Sequence, residues 1–308
     1  MSDNKDEIDP YAFDIQLNID DDDRDYRRYN DGDETQRPDI LDDRCDDLLL
    51  MARIDRIVHG TEAESGKPAT LIVFGFRFHG INEERRFREA IIDITFRDEQ
   101  KRHASDPEVT ALWPNGDFTL GDPTEVQVEE SKSTEAGADA KAGGGGAETG
   151  GRISQKWERR LNYKKTDRST MTGSIVLDTN VRKFGKNNGV RLTIAENSLA
   201  RSGLVTDLRA AVLLRRQSVA DNFLATVRIE AKAHFFYNAV KELRKLSPFG
   251  RRPADPVKFV PGVQYLRPPT LAGFLEAKLA EKIDEKELNA AKLDSLAGAL
   301  GTTVLATS

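Results

Sequence analysis

Cysteine is almost absent from this chain, and the single copy, Cys45, excludes both an internal disulfide framework and a cysteine-rich zinc site. It stands in an acidic run, among carboxylates that disfavour a thiolate, so it is a poor nucleophile. Aromatic residues are sparse at 7% while charged residues reach 32%, a balance that leaves part of the chain too polar to bury a core. No apolar stretch opens the sequence, no hydrophobic run reaches 18 residues, and no Asn-x-Ser/Thr acceptor occurs. No transmembrane segment is expected from this, and a cytoplasmic or nuclear location is.

The signatures of chemistry are missing as well. There is no GxSxG elbow to present a serine, no P-loop, and no HExxH; His59, His79, His103 and His234 stand on separate stretches without metal-ligand spacing, although His79 and His234 would converge if their strands paired. The acidic run NDGDE at 30–34 suggests a calcium loop, but with Gly32 as the sixth position Arg27 would be first and Tyr29 third, where oxygen ligands are needed. The sequence therefore assigns no catalytic, cofactor-binding or metal-binding residue, and a non-enzymatic protein is expected.

What the chain does have is a strong charge asymmetry. Residues 1–50 carry 18 acidic and 6 basic side chains, a balance of −12 that leaves +6 for the rest. Residues 1–47 read as a disordered acidic arm, kept extended by self-repulsion. From Leu48 the pattern changes to two-residue alternation. The longest example is Asn222–Tyr237, where Phe223, Ala225, Val227, Ile229, Ala231, Ala233 and Phe235 fall on one side and mostly polar residues on the other. Such a strand needs partners for its apolar face and its backbone.

The partners are present. Strands are expected at 48–58, at 69–80 with Ile72, Phe74, Phe76 and Phe78 on one face, and at 87–98 with Ala90, Ile92, Ile94 and Phe96 together. Gly75 marks a bulge or a close approach. Asn115-Gly116 predicts a hairpin that brings Trp113 and Phe118 across from one another, and Asn188-Gly189 predicts a second turn. Further strands are expected at 152–165, 169–179, 187–198 and 208–218. With short turns and no helices for parallel crossovers, the expected fold is mainly β, an antiparallel β-sandwich whose first part spans 48–128 and whose second part, with a short helix at 238–246, spans 152–247.

Between the two parts lies 129–151, with four consecutive glycines, read as a disordered Gly-rich insertion. Residues 248–269 read as a Pro-rich extended segment. Residues 270–301 read as amphipathic C-terminal helices, with Leu271, Leu275, Leu279 and Ile283 near one face and a capping-box spacing at Asp284 and Glu287.

One charged segment stands out. Residues 152–191 hold eleven cations against three acids, with aromatics interleaved, so Lys156, Trp157, Arg159, Arg160, Tyr163, Lys164 and Lys165 are the candidate residues for an anionic partner. A solvated sheet face, its counter-charges supplied by the acidic arm, accounts for the same pattern. The order of ARIDRIVHG, GKPATLIVFGFRF, FREAIIDITFRD, GVRLTIAENS, LRAAVLLRR and TVRIEAKAHFFY resembles a β-sandwich protein family of filamentous fungi with no assigned activity. The resemblance covers about Leu48 to Pro269 and implies a sandwich-like domain in an intracellular fungal protein. Three functions are set against one another: a protein-interaction module with a protein partner, a peripheral binder of nucleic acid or an anionic membrane surface through 152–191, and a hydrolase whose site assembles only in space.

Overall fold

The computed structural model describes residues 12–17, 29–45, 48–80, 85–136, 155–179, 183–236, 254–265, 283–284, 287–289, 293 and 305–307. Among them the chain is mainly β. Thirteen strands occur in the order β1 (Ala12–Leu17), β2 (Asp39–Cys45), β3 (Leu48–Thr61), β4 (Pro68–His79), β5 (Arg86–Asp98), β6 (Glu108–Trp113) and β7 (Gly116–Ala136), followed by β8 (Gln155–Val176), β9 (Gly189–Ala195), β10 (Asp207–Arg215), β11 (Phe223–Phe236), β12 (Val257–Phe259) and β13 (Leu305–Thr307). A single 3-10 turn at His103–Ser105 is the only helical element among the described residues.

The strands form two antiparallel sheets. One has the order β1-β11-β5-β9-β8-β7-β13, with β12 beside β11, and the other β2-β3-β4-β10-β6. Alternation decides which faces are buried. Ile54, Phe74, Phe76, Ala210 and Val212 from the five-stranded sheet join Ile92, Ile94, Phe96, Leu192, Ala225 and Ile229 from the eight-stranded sheet in one cluster. Aromatic pairs cross between the sheets: Phe74 meets Phe96 at 6.4 Å and Phe78 meets Phe87 edge-on at 5.8 Å. Burying each of these rings stabilises the fold by about 2–3 kcal/mol relative to leaving it in water.

Gly75 has a close-approach role. It is the Cα partner of Arg53 and of Arg209, and a Cβ there would stand 2.8 Å from the Arg53 guanidinium carbon. The missing side chain leaves room for Asp55 to accept from Arg53 at 2.9 Å and from Arg209 at 2.7 Å. A second apolar cluster lies on Val58, Leu71, Val73, Trp113, Ala211 and Leu213, joined by Leu288 and Leu293 of the C-terminal tail.

Several expectations need correction. Trp113 and Phe118 are not hairpin partners, because β6 pairs β10 in one sheet while β7 pairs β8 in the other. Gly116 does take the positive φ of +107° that the turn signal implied, but the turn carries the chain between sheets. Residues 152–165 and 169–179 are not two strands, since β8 runs unbroken from Gln155 to Val176. Asn188 is a buried strut instead of a turn tip: its side-chain amide donates to the Phe96 carbonyl at 3.2 Å and its Oδ1 accepts from the Asp178 N–H at 3.0 Å.

The C-terminal helices are not supported either. Described residues 283–284, 287–289 and 293 are not helical; the Leu288 N–H donates to the Thr61 carbonyl and its carbonyl accepts from Ala63, so backbone groups a helix would use are spent on the end of β3. Asp284 and Glu287, spaced for a cap, instead close a turn. The rest of 270–301, the short helix at 238–246 and the four-glycine run lie outside the described residues.

Two strands occur within residues 1–47. In β1 the alternation of Phe13, Ile15 and Leu17 falls in register with Phe235, Ala233 and Ala231 of β11, and β2 pairs β3 from Asp39 to Cys45. Arg37, 2% exposed, donates to the Asn30 side chain and the Asp255 carbonyl, which ties this region to the segment that leads into β12.

Candidate functional site

Strands β7 and β8 continue past the rest of their sheet. Strand β9 pairs β8 only from Val176 to Thr170, and β13 pairs β7 only from Phe118 to Leu120. Beyond a register shift between Leu120 and Thr124, residues 124–136 pair with 167–155 as a ribbon of two strands. At about 3.3 Å per residue its thirteen rows reach about 40 Å. No third strand pairs either outer edge there among the described residues.

The base of the ribbon is clamped by the loop after β9. Asn197 donates from its amide to Thr124 Oγ1 at 2.9 Å and to the Asp167 carbonyl at 3.1 Å, one bond to each strand. Its Oδ1 accepts from the N–H groups of Leu199 and Ala200, at 3.1 and 3.0 Å, which folds the loop back on itself. Asp167 accepts from the Ser198 N–H at 2.7 Å and from its hydroxyl at 2.5 Å. Burial alone would push the Asp167 carboxyl up, yet these bonds and others from Arg168 and Leu199 N–H hold it below its ordinary value.

Nearby, Glu196 takes Arg86 at 2.7 Å, Arg88 at 3.0 Å and the Gly203 N–H at 3.0 Å. A carboxylate with that many donors fixes the loop from which Asn197 projects.

All seven candidate residues for an anionic partner lie on the β8 half of this ribbon. In Cα register Lys156 faces Glu135, Trp157 faces Thr134, Arg159 faces Lys132, Arg160 faces Ser131, Tyr163 faces Val128, Lys164 faces Gln127 and Lys165 faces Val126. The remaining cations of 152–191 are dispersed: Arg191 pairs with Asp93, Lys186 with Glu108, and Arg152 and Arg182 lie outside the described residues.

The strand paired with β8 in the ribbon carries the opposite net charge. Residues 124–136 hold four glutamates and one lysine, net −3, while residues 155–167 hold five cations and two acids, net +3. The described acidic strand β1 is separated from β8 by three strands. Sequence reading missed this because Glu129, Glu130 and Glu135 fall in the stretch assigned to the flexible insertion. The alternation of Val126 and Val128 with polar neighbours was the available sign that β7 goes on.

A separate cleft of about 460 Å³ opens on the outer face of the eight-stranded sheet, at the end of β8 away from the ribbon. Its polar groups come from β5 (Asp93, Thr95, Arg97), β9 (Arg191), β11 (Thr226, Arg228) and the loop residue Asp178. Arg191 grips Asp93 with two bonds of 2.7 and 2.8 Å, and that contact raises its already high pKa. Thr95 donates to Asp178 at 3.0 Å.

The histidines do not assemble. His79 closes β4 in one sheet and His234 stands on β11 in the other, and no group of three potential ligands is arranged for a metal among the described residues. His59 is enclosed between the Thr70 hydroxyl at 2.9 Å and the Gln36 side-chain oxygen at 2.6 Å. Burial, with the nearby Arg216 charge, pushes its pKa down to about 4. No helix of the described residues is long and apolar enough to cross a membrane.

No protein-family model matches the chain, and no curated protein matches it in sequence. Among solved structures it is similar to the Clostridium perfringens NetB toxin in the membrane-inserted form, at 6% identity, covering 73% of this chain and 90% of that one, with a TM-score of 0.23. A likeness at that score bears on neither fold nor function.

Proposed function

We propose that the chain is a non-enzymatic interaction module: a β-sandwich body that presents the β7–β8 ribbon for strand addition, with a further copy of the same chain as the protein partner. The observation that carries this reading is a thirteen-row ribbon whose two strands carry opposite net charge and whose outer edges pair with no third strand among the described residues. A two-stranded ribbon is marginally stable by itself in water, and its edges offer rows of backbone donors and acceptors to any strand that arrives. When β7 of one copy lies against β8 of the next, the order along the sheet alternates acidic and basic strands. Every new contact is antiparallel and attractive. A heterologous contact of this kind closes into a ring if the rotation permits and grows as a filament if it does not.

The experiment is a charge exchange. Light scattering of the full-length protein at low salt should show association that weakens as salt rises, since exposed charges are screened within about 10 Å at 0.1 M. Changing Lys156, Arg159, Arg160, Lys164 and Lys165 to Glu should abolish it. Adding Glu129→Lys, Glu130→Lys and Glu135→Lys to the same chain should restore it. A monomer under all conditions, or association indifferent to the charge reversal, removes the proposal.

A second reading, peripheral binding to nucleic acid or an anionic membrane, is favoured by Trp157 and Tyr163 standing among the five cations of an open-edged strand. Co-sedimentation with anionic vesicles or retention of an oligonucleotide tests it, and binding that survives charge reversal of Arg159, Arg160, Lys164 and Lys165 rules it out.

A further inference from the structure

The cleft at the other end of β8 has a donor arrangement that its own acids do not consume. Both oxygens of Asp93 are engaged by Arg191, through Nε and Nη2, and Asp178 is held by Thr95 and the Asn188-anchored backbone. Two further arginines open on the same cleft, and neither has a carboxylate partner among the described residues. Arg97 keeps a buried Nε without any hydrogen-bond acceptor, and Arg228 is exposed.

Their placement follows from the β5–β11 register. Thr95 and Thr226 are Cα partners; Arg97 lies two residues along β5 on one side of that row, and Arg228 two residues along β11 on the other. Two-residue steps keep all four on the same face of the sheet. The guanidinium groups thus flank a pair of threonines from opposite ends, with long side chains able to reach inward over them. A buried N–H with no acceptor is costly, so no bond of its own holds the Arg97 Nε in place, and turning the guanidinium toward an acceptor in the cleft would relieve that cost.

We propose that this cleft binds an oxyanion of the phosphate class, with Arg97 and Arg228 clamping it and the Thr226 hydroxyl donating from the floor. Guanidinium groups suit such a ligand because they offer planar paired donors and stay charged. The volume lies within the range of small-ligand pockets, so the phosphate belongs to a ligand of modest size, either a free phosphomonoester or a lipid headgroup. The ribbon has no part in this site, and its failure or success as a docking element leaves the site's test unaffected.

The test is calorimetric titration of the full-length protein with inorganic phosphate against chloride at matched ionic strength. Saturable one-to-one binding is expected. Arg228→Gln, at an exposed position, should weaken it about tenfold or more, the loss of one charge-assisted contact. Arg97→Gln should do the same while Arg97→Lys retains part of the affinity, and Lys183→Gln, an exposed cation outside the cleft, should change nothing.

Competition by glycerol phosphate identifies a free phosphomonoester as the source of the group. Binding confined to vesicles that contain phosphatidate, again lost in Arg228→Gln, identifies a headgroup. Phosphate titrations that do not saturate together with vesicles that do not bind, or affinity unchanged in Arg228→Gln with the protein folded by circular dichroism, overturn the proposal.

Discussion

At the scale of single residues, the most constrained position in the five-stranded sheet is a glycine. Gly75 separates Arg53 from Arg209, and the buried Asp55 carboxylate, 2% exposed, joins them. The Arg53 guanidinium would ordinarily swing away from an added methyl group, but here it is held by Asp55 and by Asp207 at 2.7 Å. Gly75→Ala is therefore expected to cost about 1–3 kcal/mol, the range for overpacking a close-packed site. Gly262, with nothing within 4 Å of where its Cβ would be, should accept alanine with little change. Urea unfolding of the two variants side by side checks this.

His59 makes a second prediction at the same scale. Its folded pKa, about 4, lies below the ordinary 6.5, so the unfolded chain binds the proton more readily. Stability from the neutral ring is complete above pH 6.5 and is lost as pH falls toward 4. At most it amounts to about 3 kcal/mol. Unfolding free energies measured from pH 7 to pH 4 should decline across this window, and His59→Gln should flatten that part of the curve. An unchanged slope in the variant would show that other groups set the acid limit.

Elements raise a different question, since the ribbon is long and its hold on the body is short. Asn197 binds one strand through Thr124 and the other through the Asp167 carbonyl, while its own loop is fixed by the Glu196 cluster. Replacing it with alanine takes away the bond to the Asp167 carbonyl and the acceptor of the Ala200 N–H, and leaves the Leu199 N–H only its bond to the Asp167 carboxylate. The cost expected is about 1–3 kcal/mol, concentrated locally. Limited proteolysis should cut Asn197→Ala within 121–170 faster than the parent while cleavage elsewhere stays the same. Equal rates would mean that the ladder alone holds the ribbon.

Elements are also where sequence reading succeeded most and failed most. The faces of β4, β5 and β11 were legible because Ile72, Phe74 and Phe76, or Ile92, Ile94 and Phe96, repeat every second residue, and burial enforces that period. The length of β7 was not legible. Glu129 to Ala136 is rich in Ser, Glu and Ala, which have low strand propensity, and only pairing with β8 makes a strand of it. The Trp113–Phe118 turn misled because a turn signal marks a change of direction and does not say which sheet the next strand joins. The cleft was invisible for a related reason: Arg97, Arg191 and Arg228 are far apart in sequence and meet only through the β9-β5-β11 order.

For the molecule as a whole, core and ribbon are separable. Among the described residues, β7 and β8 reach the principal cluster through Phe118, Leu120, Met171 and Ile175, all below the two-stranded rows. Replacing residues 126–165 by a short glycine–serine turn is thus expected to leave the melting temperature within about 2–3 °C of the parent, as for surface changes that remove no core contact. The same excision should abolish salt-sensitive association. A collapse of the melting transition would show that the ribbon stabilises the body, and the division drawn here would fall.

The protein contains two tryptophans, Trp113 against the five-stranded sheet at 4% exposure and Trp157 on the far half of β8. Nature has in this way installed one fluorophore on each side of the boundary. Trp113→Phe turns intrinsic emission into a private signal from the ribbon, and Trp157→Phe reserves it for the interior. Spectral shifts and quencher access in the two variants would tell whether an event begins at the appendage or in the core, with no dye attached.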